Sequence, residues 1–531
     1  MSNAQRAIIT ITVITASVMQ LIDTSIVNVA LPHIMGNLGA DLDDASWVVT
    51  TYIFANVIVV PMTGWLAAFF GRKKYYLASI SIFIIASILC GQATNIWELM
   101  AFRFIQGIGG GGLLPTSRVI LVESFPPDDL ALANGLFGMG VVSGPLIGSV
   151  LGGYLTTHFT WRMIFFVNLP VGIIALLLAV ANVHEPQDVK QPGRVDWMGL
   201  FWLFVGFGAL QIVLERGEKD NWFSSHFILI LSIIAVVGIV LFVWREFTTD
   251  NPVVDLRVLR HRNLAIGVLL GFVMGLSIYT TVFLFPVLAQ NILGYSALQT
   301  GLILLPGALT AAIMMPTVGV LLKKGVPPQL MSGGGFFIFF IFCWLLAQQN
   351  VHSGPHDFWW PVILRGLGLG SLSVPVNTIA LTNIFGHDLS EGSGFLSMSR
   401  QLGGSFGTAL IATFVDWLSA FHRNMLVKHI TQYNFTVRHW IQNFIHKFMA
   451  TGSSHSVAKL QSMKMISLGL TRQTLMITYE EAFFVVGVFS LICIPLLLFT
   501  FVKKKKEKEQ KDHHSKDRKT SQKQNPAVEA G

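Results

Sequence analysis

One carboxylate stands inside a run of residues that is otherwise apolar or small. The stretch Leu21–Pro32, LIDTSIVNVALP, places Asp23 at a depth where a charged side chain costs several kcal/mol unless it faces a polar cavity or a partner. Such a group can take up a proton on one side of a membrane and release it on the other, or balance a cationic substrate. Asn28 is positioned by sequence to hydrogen-bond in the same cavity. The competing reading of Asp23 is a structural pair with an arginine or a hydroxyl. A second stretch, RFIQGIGGGGLLP, sets Arg103, Gln106 and Gly107 ahead of four consecutive glycines, Gly109 to Gly112. Arg103 keeps its proton, so its chemistry would be to tune a nearby carboxylate by proximity. The glycines admit a neighbouring helix closely. A phosphate-binding loop is a poor alternative, because no Lys-Ser or Lys-Thr follows.

Further polar residues mark the second half. RGLGLGSLSVPVNTIALTN begins at Arg365 and contains Asn377, and SRQLGGSFGTALIAT begins at Ser399 and contains Arg400 and Gln401. Arg365 and Arg400 lie near predicted helix ends, where snorkelling to the interface and a cavity role are both open. Between the two halves of the pattern, GVVSGPLIGSVLGG repeats Gly140, Gly144, Gly148 and Gly152 at every fourth position, with Pro145 among them. This describes a kinked, close-packed helix face and by spacing alone nothing more.

These residues must be held by membrane helices. Of 531 residues 53% are hydrophobic and only 12% charged, which places the chain in the membrane class. Apolar runs of about 20 residues, enough to cross a hydrocarbon core of about 30 Å, recur from Ile8 nearly to Val502. They predict an all-α integral membrane protein of about fourteen spans. Residues 1–183 form a first six-helix bundle, 184–263 two inserted spans with flanking loops, and 264–502 a second six-helix bundle with a long outer loop at 417–480. Residues 503–531 form a basic, disordered tail. The first apolar stretch lacks a basic n-region and a clear cleavage site, so it reads as a retained helix.

The net charge of +8 is topological rather than a sign of nucleic-acid binding. Ten Lys and Arg residues follow Val502, in a tail that reads as a solvated flank meeting anionic lipid heads. With a cytoplasmic amino terminus, the loops carrying Arg72 to Lys74, Lys190 and Arg194, Arg245 to Arg262, and Lys323 and Lys324 fall inside. The short outer loops around Asp41–Ser46, Thr94–Ile96, Asn291–Ala297 and Gln348–His356 carry neither Lys nor Arg, which is the positive-inside pattern. Both termini are therefore expected in the cytoplasm. The outer segment Ala420–Tyr479 carries Phe435, Val437, Trp440, Ile441, Phe444, Ile445 and Phe448 at helical spacing. An amphipathic helix is predicted there, lying on the membrane or facing a partner.

The four ordered motifs LIDTSIVNVALP, RFIQGIGGGG, GPLIG with its flanking glycines, and WRMIFFVNLPVG from Trp161 to Gly172 carry a resemblance to the major facilitator superfamily. The resemblance spans nearly the whole chain and is to the fourteen-span drug:proton antiporters of the EmrB/QacA type. It implies two six-helix bundles plus two inserted helices, which enclose a site at mid-membrane and expose it alternately to each side. It implies efflux of drugs in exchange for protons in a bacterial inner membrane, with Gly140, Gly144, Pro145 and Gly148 as the antiporter motif. The long outer loop resembles the EmrB side of the family, which implies a periplasmic membrane-fusion adaptor and an outer-membrane channel as partners. In the loop after the second span, GWLAAFFGRK keeps Gly64, Gly71, Arg72 and Lys73 of the family pattern. Ala68 and Phe69 replace its acidic residue and the following basic one, so no charge latch is expected at those two positions.

Export of an endogenous metabolite such as a siderophore, fatty acid or peptide is the alternative on the same fold. No nucleotide cassette, HExxH, GxSxG or paired-cysteine motif is present, so a gradient is the expected energy source, without cofactor or metal. Cys90, Cys343 and Cys493 all fall in apolar runs and read as small buried hydrophobes.

Overall fold

The computed structural model describes residues 3–40, 42–126, 129–185, 196–250, 252–382, 384, 387–431 and 433–500. Lys190, Arg194 and the basic tail lie outside the described residues. Among these the regular structure is helical throughout. Among the described residues thirteen helices are long and apolar enough to cross a membrane. The expected fourth span is the one missing from that set, because it is broken into α4 (Ile96–Gly111) and α5 (Leu113–Ser124) at Gly112. Together these two supply the fourteenth.

In the first half, α1 (Asn3–Leu38), α2 (Leu42–Phe70) and α3 (Arg72–Gln92) precede α4 and α5, and α6 (Leu130–His158), α7 (Met163–Phe166) and α8 (Asn168–Asn182) follow. The glycine run decides how α4 sits. A Cβ added at Gly107 would lie 2.6 Å from the Tyr52 carbonyl oxygen of α2, and one at Gly109 would lie 2.7 Å from the Phe83 nitrogen of α3. Helix α4 therefore sinks between α2 and α3 to near backbone contact, closer than any side chain would permit. The repeat in α6 does the same against α1. Added Cβ atoms at Gly140 and Gly144 would meet Ile14 and Leu21 at 2.6 Å, and one at Gly148 the Ile22 carbonyl oxygen at 2.7 Å. Pro145 lies within α6 and is exposed, and the helix stays continuous through it.

The inserted pair, α9 (Trp197–Arg216) and α10 (His226–Thr248), pack on each other at Gly206 and Gly238. Helix α9 rests against α2 and α15, while α10 turns most of its apolar surface outward, as a lipid-facing helix does. The second half comprises α11 (Arg262–Val287), α12 (Ala297–Lys323), α13 (Pro328–Leu346), α14 (Trp359–Leu381), α15 (His387–Val427), α17 (His455–Leu491) and α18 (Cys493–Leu498), with α16 (Phe435–Ala450) outside. Its largest core is aromatic, with Phe285, Phe336, Phe339, Phe342, Phe358 and Phe483 buried together.

The expected loop at 417–480 is largely helical. Helix α15 runs for 41 residues and α17 for 37, about 60 and 55 Å at 1.5 Å per residue, so both continue well past a hydrocarbon core of about 30 Å. The last span was read as starting at Glu481. In the structure Arg472 of α17 already donates to the Ile292 and Val351 carbonyls at 2.7 and 3.0 Å, tying α17 to the segments that follow α11 and α13 about two turns earlier. The amphipathic helix forms as α16, packed along α17 with Val437 buried and Phe435 and Trp440 exposed.

Candidate functional site

Asp23, Arg103 and Gln106 lie in separate motifs and meet in the structure. The Arg103 Nη1 donates to Asp23 Oδ2 at 2.6 Å, and Gln106 Nε2 donates to Asp23 Oδ1 at 2.9 Å. Because Arg103 and Gln106 are three residues apart, they share one face of α4. The Gln106 Oε1 accepts a second bond from Arg103 Nη1 at 2.8 Å. Arg103 Nε donates to the Val48 carbonyl at 3.2 Å, and its guanidinium lies 4.3 Å from the centre of the Tyr52 ring, a cation–π arrangement. The glycines immediately after Gln106 bring α4 close enough to α2 and α3 for these contacts to form.

Two further members escaped the candidate set. Asn168 Nδ2 donates to Asp23 Oδ1 at 2.7 Å and to Ser87 Oγ at 3.0 Å; Ser87 Oγ in turn donates to the Phe165 carbonyl at 2.9 Å. Asn168 lies inside WRMIFFVNLPVG, so a polar side chain in an apolar motif was its available signal. Ser87 offered none, being one serine among several in α3. The resulting cluster joins α1, α2, α3, α4 and α8, and Asp23, Ser87, Arg103, Gln106 and Asn168 are each at most 1% exposed.

This burial corrects one expectation. Asp23 does not face a water-reachable crevice in this conformation. Its two oxygens accept three bonds from an arginine and two amides, which compensate a charge removed from water. The structural-pair reading of Asp23 therefore describes its resting geometry. Asn28 does not join the cluster and is exposed. At 100° per residue, five positions along α1 turn it about 140° away from Asp23.

In the second half Arg400 and Asn377 do meet, with Arg400 Nη2 donating to Asn377 Oδ1 at 3.1 Å. Asn377 is 6% exposed and Arg400 half-buried. Gln401 is half-buried on α15, and no bond joins it to this pair. Gly403 and Gly407 beside them press against the backbone of α11, the counterpart of the α1–α6 contact in the first half.

The two halves touch chiefly at the end that carries Arg72. Gly71 adopts φ +88°, making the turn into α3. The backbone N–H groups of Arg72 and Lys73 donate to the two Glu185 carboxylate oxygens at 2.6 and 3.1 Å, an anion held at a helix N-terminus. Lys73 Nζ donates to the Val180 carbonyl at 2.8 Å. The Arg72 guanidinium pairs with Glu123 of α5 and reaches Ser390 of α15 at 3.5 Å. Gly64 leaves room for Glu391, whose backbone nitrogen would lie 3.2 Å from an added Cβ. Ser393 Oγ donates to the Pro115 carbonyl at 3.4 Å and Lys323 pairs with Asp129 at 2.5 Å. A latch between the halves is thus present, with Lys323–Asp129 as its ion pair and Arg72 reaching Ser390 across the seam, although Ala68 and Phe69 carry no charge. Arg72 finds its acid on α5, and Glu391 comes from the opposite half, neither of which the loop motif reveals. Among the described residues, the side-chain hydrogen bonds and ion pairs between α1–α8 and α11–α18 lie at this end.

A helical array of this kind, with glycine-lined seams and a buried ion pair at the core of its first half, is that of a multi-pass membrane protein. Residues 13–408 match the family model described as Major Facilitator Superfamily, and the chain belongs to that family. It is 33% identical over 502 residues to the "Multidrug export protein EmrB" of Escherichia coli strain K12, covering 94% of this chain and 96% of that protein. It is 32% identical over 504 residues to the "Fatty acid resistance protein FarB" of Neisseria gonorrhoeae, covering 94% and 96%. Among solved structures it is similar to the human organic anion transporter MFSD10 (TETRAN), with a TM-score of 0.57 at 12% identity over 91% of this chain and 99% of that one. This last likeness is one of fold.

Proposed function

We propose that this transporter is a drug:proton antiporter of a bacterial inner membrane, exporting lipophilic or amphipathic compounds by alternating access, with both termini cytoplasmic. The observation that carries this reading is the Asp23 cluster. A carboxylate that accepts three charge-assisted bonds in a dry bundle core weakens them when it takes a proton, and its partners sit on α4 and α8, which bond in turn to α2 and α3. Proton arrival would therefore loosen the seams between these helices, and its departure would restore them. Similarity to EmrB supports the drug-export reading, and similarity to FarB supports amphipathic acids among the cargo. An apolar cleft of about 560 Å³ between α2, α3, α4 and α9, lined by Met62, Ile82, Phe104, Ile108 and Phe204 with Lys74 at its edge, is suited to compounds arriving from the lipid.

In this scheme the latch around Arg72 closes the cytoplasmic side, so the conformation is the outward-facing one. The extension formed by the end of α15, α16 and the start of α17 serves as the docking element for a periplasmic adaptor leading to an outer-membrane channel. Its exposed Tyr433, Phe435 and Trp440 support that role. The test is flux in proteoliposomes under an imposed pH gradient, with lipophilic cations and anions as cargo. Absence of any gradient-dependent flux across such a panel would refute the antiport reading.

A further inference from the structure

Arg118 is a buried cation that the Asp23 cluster does not use. It lies on α5, is 5% exposed, and its Nε and Nη1 have no hydrogen-bond partner. Its guanidinium lies 5.9 Å from the Phe137 ring of α6. The next residue, Val119, packs with Leu264, Ala380, Leu381 and Leu396 of the second half, so this stretch of α5 forms the seam between the halves. Helix α15 packs on α5 along this seam, and its Arg400 is a second cation close enough to act on Arg118. Arg400 donates Nη2 to Asn377, but its own Nε is buried without a partner. Tyr279 of α11 flanks it. Neither arginine forms an ion pair among the described residues.

Two guanidiniums near one seam, one of them buried, without a counter-ion among the described residues are costly, since removal from water and mutual repulsion act in the same direction. An anion between them would offset both. A guanidinium presents parallel N–H groups whose spacing matches a carboxylate, and the unfilled donors here are three nitrogens drawn from both halves. The surrounding walls are aromatic and apolar, which suits a hydrocarbon body behind a small charged head. We propose that Arg118 and Arg400 form an anion subsite between the two halves, taking the carboxylate head of an amphiphilic cargo. Because one arginine comes from each half, the bound head holds the halves together at the latch end, and departure of the cargo leaves them to repel.

This inference rests on the transport reading for its consequence but is tested by binding. Full-length protein in nanodiscs is titrated with dodecanoate and with dodecyl alcohol, its neutral counterpart. The expected result is tighter binding of dodecanoate by the native protein. Arg118→Gln should weaken dodecanoate by about 10-fold or more, as loss of a charge-assisted bond does, and leave the alcohol unchanged. Arg118→Lys should fall between. Size-exclusion and thermal melting check that each variant folds, and Arg400→Gln serves in the same way should Arg118→Gln fail. Native dodecanoate binding no tighter than that of the alcohol, or equal weakening of both ligands by the variants, overturns the subsite. Absence of gradient-driven flux together with selective dodecanoate binding would overturn the antiport reading and leave the subsite standing.

Discussion

Replacing Asp23 by Asn keeps the shape of the side chain and removes its charge. The new amide oxygen can still accept from Gln106 and Asn168, but the new amide nitrogen faces Arg103 Nη1, which now stands 2.6 Å from it as donor against donor. Arg103 is 1% exposed, so its charge cannot escape to water. Leaving one member of a buried pair uncompensated costs about 3–5 kcal/mol, a large share of the roughly 5–15 kcal/mol that holds a typical domain. Asp23→Asn should therefore lower the melting temperature, and Asp23→Asn with Arg103→Gln should recover most of that loss because no orphan charge remains. Transport separates the two readings of the pair. If proton exchange at Asp23 drives export, neither variant accumulates cargo against its gradient under an imposed pH difference, although the double variant still exchanges labelled for unlabelled cargo without one. The assay is uphill uptake and counterflow in the same proteoliposome preparation. Uphill export by Asp23→Asn with native proton dependence, or by the stabilised double variant, would refute the coupling role and reduce the pair to a strut.

Other elements give sharper structural tests. Asn168→Ala removes donors to both Asp23 and Ser87 and should cost about 1–3 kcal/mol, seen as a lower melting temperature. Gly148→Leu should separate α1 from α6, because even a methyl group there meets the Ile22 carbonyl oxygen at 2.7 Å; spin labels on the two helices should report a wider distance. Arg72→Gln removes the ion pair to Glu123 and weakens the reach to Ser390, so distance distributions between the halves at the latch end should shift towards the open state. Deleting Tyr433–Leu470 removes α16 and the first part of α17, and should leave insertion intact while impairing export across two membranes. Full resistance conferred by that deletion in a Gram-negative host would count against adaptor docking.

How much of this was legible beforehand follows from the range of the interactions involved. Hydrophobic length and composition are local properties, so the number of spans, the helical class and the amphipathic α16 could be read directly. The place of Asp23 within a span was legible too, because a carboxylate in an apolar run is conspicuous on its own, whereas its seclusion from water was not. Arg103 and Gln106 stood out for the same reason, one beside the other on α4. The family resemblance likewise rests on short contiguous motifs.

Everything that depends on which helix lies against which had to come from the tertiary structure. Asp23 and Arg103 are 80 residues apart, and no spacing rule joins them; the packing of α4 against α2 and α3, permitted by its glycines, does. Asn28 was misplaced because membership of a motif does not fix the side of a helix on which a residue lies. Lipid outside the bundle and protein inside it are equally apolar, so hydropathy could not tell that α15 and α17 continue beyond the membrane as helices, nor that Arg72 pairs with Glu123 of α5 and Lys323 with Asp129. Arg118 was invisible for the same reason. In sequence it is one more arginine near a predicted helix end, and only the approach of the second half makes it a buried cation without a counter-ion.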